Sequence, residues 1–408
     1  MNLSLMSFRT RAAAGTALIA VLALPAALAT PAGAAPAAAH SMTTAQSMTA
    51  HSVTAHSMTA HSMTAAHSMT AHSMTAAHSR PAAVPAWRLV PTGSVSHFRG
   101  LSAVSARVAW VGGYDGTILM TADGGRHWRD VSPAGADNLQ FRDIQAFDTR
   151  HAVAMAAGPG TDSALYSTSD GGRHWRIAYQ NTNPAAFFDC MSFSDRKHGL
   201  VLSDPVGGKF RILATNDGGR SWWVRSNAAM PAALPGEAAF AAGGECITTL
   251  GRDAWFGTGG QSQARVFHSR DRGLSWTVTT TGMGSGPTAG VFALAFRDRW
   301  HGLATGGDFN TPTSPTKALA RTRTGGNSWR LVSDAPSGYR SGVAWLPHRH
   351  HPTAITVGIS GSDISYDGGR SWHQFDTGSF DTVSCAHDGA CWASGETGRV
   401  AVLSLRRP

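Results

Sequence analysis

Thr121-Ala122-Asp123-Gly124-Gly125-Arg126-His127-Trp128 is one of six copies of the pattern Ser/Thr-x-Asp-x-Gly-x-x-Trp. The others are Thr168-Ser-Asp-Gly-Gly-Arg-His-Trp175, Thr215-Asn-Asp-Gly-Gly-Arg-Ser-Trp222, Ser269-Arg-Asp-Arg-Gly-Leu-Ser-Trp276, the degenerate Thr322-Arg-Thr-Gly-Gly-Asn-Ser-Trp329 and Ser365-Tyr-Asp-Gly-Gly-Arg-Ser-Trp372. Their tryptophans are 47, 47, 54, 53 and 43 residues apart. That period is the length of a four-stranded propeller blade. Each copy reads as a turn: the Asp accepts hydrogen bonds from the turn's own N–H groups, the Gly residues supply positive φ, and the Trp anchors the next strand. Thr324 replaces the Asp in the fifth copy, so that turn is expected to be the weakest.

Around the first copy, four short strands are expected at Phe98 to Val104, Val108 to Gly113, Thr117 to Thr121 and Trp128 to Val131. Later inner strands are expected to start near Phe141, Phe188, Glu245, Val291, Tyr339 and Phe380. Seven starts against six turns leave the last repeat one strand short. Trp87-Arg88-Leu89-Val90 resembles the outer strands Trp128-Arg129-Asp130-Val131 and Trp329-Arg330-Leu331-Val332. The expectation is therefore an all-β, seven-bladed β-propeller over 85–408 whose N-terminal strand completes the last blade and leaves no open sheet edge.

Residues 1–35 have the grammar of a secretory signal: Arg9 and Arg11, an apolar run from about Ala12 to Leu28, and small residues at Ala27-Leu28-Ala29 or Ala32-Gly33-Ala34. Export, to the exterior or the periplasm and cell envelope, is expected, with no stable membrane span after cleavage. Residues 36–84 repeat His-Ser-Met-Thr-Ala without a single acid and read as a disordered linker. No cofactor is expected of the propeller. Within the linker, His61 and Met63, His67 and Met69, and His72 and Met74 pair imidazole with thioether, a donor set that suits copper(I). An inert Ser/Thr spacer is the plainer reading.

The four cysteines fit an oxidising compartment. Cys385 and Cys391 flank a hairpin turn and are expected to pair. Cys190 and Cys246 hold equivalent places in neighbouring blades, and their pairing depends on a separation that spacing does not give. The net charge of +9 is scattered, without a basic run, which argues against nucleic acid as a partner.

Aligned without gaps, the inner strands put Arg99, Arg142, Asp189, Glu245, Phe292, Arg340 and Asp381 at one position, a ring of charge at the channel mouth. Arginine gives bidentate recognition of carboxylate or phosphate; the bland reading is mutual pairing around a wet channel. Asp204, Glu237 and Asp308 lie in Gly/Pro-rich loops and are the candidates for catalytic acids, since two carboxylates about 5 to 10 Å apart can hydrolyse a glycoside.

The turn motifs resemble the Asp-box, or BNR, repeats of sialidases and other exported propellers. With Phe187-Phe-Asp-Cys-Met191, Ser203-Asp-Pro-Val-Gly-Gly-Lys-Phe210, Gly236-Glu-Ala-Ala-Phe240 and Tyr339-Arg-Ser-Gly-Val343, the chain from 87 to 408 looks most like bacterial relatives of the photosystem II stability/assembly factor. That resemblance implies a protein- or peptide-binding assembly or stability factor; a monomer is expected. The sialidase side of it implies a glycosyl hydrolase acting on a glycan. However, Trp175-Arg-Ile-Ala178 and Phe210-Arg-Ile-Leu213 lack the proline of the sialidase Arg-Ile-Pro signature, and Tyr366 sits inside a turn motif. No nucleotide-binding fingerprint supports an oxidoreductase.

Overall fold

The computed structural model describes residues 84–349 and 351–406. The signal segment and the linker up to residue 83, with their histidines and methionines, lie outside the described residues. The rest is built of seven antiparallel four-stranded sheets, the blades of a propeller. Blade one comprises Phe98–Ala103, Ala109–Gly113, Ile118–Thr121 and Arg129–Asp130, within a residue or two of the expected bounds. The inner strands of blades two to seven are Phe141–Ala146, Phe188–Phe193, Ile247–Leu250, Ala289–Phe296, Gly342–Trp345 and Thr382–Cys385.

Blade seven takes three strands from the C-terminal end of the chain and its fourth from the N-terminal side. Val84–Leu89 pairs antiparallel with Val400–Arg406, placing Trp87 opposite Leu403. The Trp87 ring lies 5.5 Å from that of Phe380 and 5.9 Å from that of Phe375, and its Nε1 donates to Ser362 Oγ at 2.9 Å. The strand is longer than the four residues expected, starting at Val84 rather than Trp87.

The turn motifs work as their sequence suggests. Asp123 Oδ1 accepts the N–H groups of Arg126 and His127, each at 3.0 Å, and Thr121 Oγ1 accepts that of Gly125 at 3.0 Å. Gly125 has φ of 82°, and a Cβ there would lie 2.9 Å from the Cβ of Val90, so the turn is pressed onto the preceding blade. In the fifth copy Thr324 Oγ1 accepts one backbone N–H, that of Ser328 at 3.0 Å, where Asp123, Asp217, Asp271 and Asp367 each accept two.

Motif tryptophans bind blade to blade. Trp175 meets Trp110 edge-on at 6.3 Å and donates to Val131 O, while Trp128 meets Trp392 edge-on at 6.2 Å. The core is accordingly a series of inter-blade clusters, such as Trp110, Ile118, Phe141 and Ile144 between blades one and two. Both disulfides form, with Cα separations of 5.8 Å for Cys190–Cys246 and 4.0 Å for Cys385–Cys391. Among the described residues no helix is long and apolar enough to cross a membrane.

Candidate functional site

The inner strands of blades one, two, three and five each contain a register shift at the same place. It falls between Phe98 and Gly100, Phe141 and Asp143, Phe188 and Cys190, and Val291 and Ala293. The unpaired residues are Arg99, Arg142, Asp189 and Phe292. A β-bulge turns its extra side chain out of the pleat and is a common way to aim a residue. Four of the seven positions in the expected ring are therefore bulge residues of an inner strand.

Three of these, with their neighbours, form one polar cluster. The Arg99 and Arg142 guanidinium carbons each lie 5.7 Å from the centroid of the Tyr114 ring, and that of Arg142 lies 5.9 Å from the Phe187 ring. His97 Nε2 is 2.7 Å from Asp381 Oδ2, and its ring stacks on Tyr114 at 5.0 Å. Arg99 Nε is 3.8 Å from Asp381 Oδ1, beyond hydrogen-bond reach. Arg142 donates to Gln140 Oε1 through Nε at 3.0 Å and Nη2 at 2.6 Å, and forms no ion pair among the described residues. Burial, then the positive field of Arg99, lowers the Arg142 pKa from its usual value.

Asp189 is 1 % exposed, and its Oδ2 has no hydrogen-bond partner among the described residues. Burial foremost, and then the neighbouring Asp204, pushes its pKa well above the usual carboxylate range; Arg142 acts the other way. Asp204 accepts from Ala239 N at 3.0 Å, and burial raises its pKa to about 6. The cluster thus holds two arginines with no carboxylate in hydrogen-bond contact, Asp381 lying 3.8 Å from Arg99, beside two carboxyls that resist ionisation.

The remaining ring positions are used differently. Arg340 is fully buried: Nε and Nη2 meet Asp363 Oδ2 at 2.7 and 2.6 Å, and Nη1 donates to Tyr339 O and Ser360 Oγ. It is structural, which corrects its assignment to the mouth. Its strand begins at Gly342, two residues later, so the gapless alignment put it in a place it does not occupy. Phe292, the one apolar residue of the register, is part of an aromatic ledge, stacked on Phe240 at 4.0 Å and edge-on to Tyr339 at 4.8 Å and Phe309 at 6.2 Å.

Glu245 precedes its strand and reaches from blade four to blade seven. Its Oε1 accepts from Thr382 Oγ1 at 2.6 Å and Val383 N at 3.2 Å, and Oε2 has no partner among the described residues. The preceding Gly243 and Gly244 fill the channel between blades: a Cβ on Gly243 would lie 2.6 Å from Asp381 O. Against this plug lies a cavity of about 300 Å³, lined by Asp143, Glu245, Ser102 and Ser384 among others. Asp143 accepts from Met191 N at 2.6 Å, and burial raises its pKa to about 7. Sequence reading passed over Asp143, which stands next to Arg142 in a strand that also carries Gln145 and so gave no distinct signal.

The three acids considered for hydrolysis do not converge. Glu237 is buried against Arg265, accepting from its Nε at 2.8 Å and pairing with its Nη2, and also accepts from Thr258 Oγ1 and Leu234 N. Asp308 accepts from Thr288 Oγ1 at 2.7 Å and Asn310 N at 2.9 Å, closing its own loop. Asp204 has Asp189 as its acidic neighbour instead. Among the described residues no group of three or more His, Cys, Asp or Glu side chains could hold a metal ion.

No known protein-family model matches the sequence, and no curated protein matches it. Solved structures do. A structure of YCF48 bound to a D1 peptide superposes with a TM-score of 0.57 at 12% identity, covering 79% of this chain and 97% of that one. YCF48 from Cyanidioschyzon merolae gives 0.53 at 15% identity, with coverage of 79% and 99%. The WD40 propeller domain of Doa1 gives 0.53 at 13% identity, with coverage of 79% and 98%. The likeness is one of fold. It extends over the propeller.

Proposed function

We propose that this protein is an exported, monomeric propeller that binds a protein or peptide partner, as an assembly or stability factor of the cell envelope. The observation that carries the reading is the pair Arg99 and Arg142 around Tyr114, with no carboxylate in hydrogen-bond contact with either guanidinium. Such a pair suits a carboxylate of an extended chain, either an acidic side chain or a chain end. The neighbouring ledge of Phe240, Phe292 and Phe309, the last 40% exposed, would take apolar side chains beside it. A fold neighbour solved with a peptide bound supports a peptide as the occupant.

The test is binding of short peptides bearing a free carboxylate or its amide, measured by fluorescence anisotropy. The free acid should bind more tightly, and Arg99→Ala/Arg142→Ala should weaken it at least tenfold, the scale of one charge-assisted hydrogen bond. Equal binding by acid and amide, or by wild type and the double variant, would remove the site. A glycan-hydrolysis screen is the companion control, because sugar release abolished by Asp189→Asn/Asp204→Asn would replace this reading with an enzymatic one.

A further inference from the structure

On the face that carries the turn motifs, the cleft between blades five and six is rich in arginine. Arg297, Arg321, Arg323 and Arg370 line a cavity of about 80 Å³. Arg321 lies on Leu319–Thr322, and its direct cross-strand neighbour is Arg330. Like charges facing each other across a sheet destabilise it. After burial, the fields of Arg370, Arg323 and Arg330 are the causes that lower the Arg321 pKa, opposed by Asp367.

The carboxylates at hand are already engaged. Asp298 serves Arg297 at 3.4 Å and His301 at 2.9 Å. Asp367 is held by its own turn, accepting the N–H groups of Arg370 at 2.9 Å and Ser371 at 3.1 Å. Arg321, Arg323 and Arg330 have no side-chain hydrogen bond or ion pair among the described residues. The corresponding clefts contain more acid: Asp170 and Asp217 between blades two and three, Asp253 and Asp271 between blades three and four. Here Thr324 stands where the other five motifs have Asp, so the one turn that lost its carboxylate belongs to the blade that gathered unpaired arginines.

We propose that this cleft binds a tetrahedral oxyanion, a phosphate or sulfate group, either free or carried on a polymer. The cavity admits one small group, and guanidinium forks match its oxygens in bidentate geometry. The bound anion would supply the counter-charge that the fold omits.

Isothermal titration of the full chain with inorganic phosphate, and separately with polyphosphate, tests the site. Saturable binding is expected, weakened at least tenfold in Arg321→Gln/Arg323→Gln, a variant whose folding is favoured by relief of like-charge repulsion. Thr324→Asp should also weaken binding while raising the thermal midpoint, since it restores the second turn hydrogen bond and a counter-charge. Binding of both probes would mean that the isolated group suffices; binding of polyphosphate alone, with the same sensitivity to the variants, would assign the group to a polymer. No saturable binding of either probe, or equal affinity in the double variant, would overturn the proposal.

Discussion

Replacing Trp87 by alanine tests whether the ring is closed by its N-terminal strand. Trp87 contacts Phe375 and Phe380, donates a hydrogen bond to Ser362 and sits opposite Leu403 in the sheet. A fully buried Trp→Ala substitution costs about 3–5 kcal/mol. Trp87 is half-buried, so its packing share is nearer ~2 kcal/mol, to which a side-chain hydrogen bond adds about 1 kcal/mol. The expected loss is therefore about 3 kcal/mol, read as a lowered midpoint at unchanged slope in urea denaturation. Trp223→Ala is the control: Trp223 lies on the outer strand of blade three, is 39% exposed, and should lose about 0.5 kcal/mol or less. If both variants lose the same small amount, Val84–Leu89 does not hold blade seven in solution and the closure argument fails.

Arg340→Ala should destabilise the fold by about 3–5 kcal/mol in the same assay, because Asp363 would remain buried without its partner. Asp143→Asn should flatten the pH dependence of the thermal midpoint. Burial raises the Asp143 pKa from 3.8 to about 7, so the stability that its neutral form contributes is full below about pH 4 and lost as pH rises through 7. At roughly 1.4 kcal/mol per unit, the loss across that window is of order 4 kcal/mol. Asp189 and Glu245, also raised, act in the same direction, so a residual slope should survive in the single variant.

The blades were legible because their turns carry chemistry that repeats: an Asp that caps two backbone N–H groups is specified locally and needs no tertiary context. Closure was legible for the same reason, since Trp87-Arg88-Leu89-Val90 has the wording of an outer strand. The site was half legible. Arg99, Arg142 and Asp189 fell into true register because blades one to three share a bulge at that residue. Glu245 and Arg340 did not, because the inner strands of blades four and six start two residues beyond them, and a gapless alignment carries no record of where pairing begins. Glu237 misled for a related reason: its Gly/Pro-rich surroundings mark a loop, but not that Arg265 fills the space beneath it.

The Gly243–Glu245 plug turns a ring into a disc with a strut through its centre. Blade four is tied directly to blade seven, nearly half the circumference away, by Glu245 gripping Thr382 and Val383. Arg99 stands at the start of an inner strand and the turn motifs follow the far ends of the third strands, so the two lie on opposite faces. A partner at the Arg99 face and an anion between blades five and six would therefore never compete for space, and one rigid body could hold both at once.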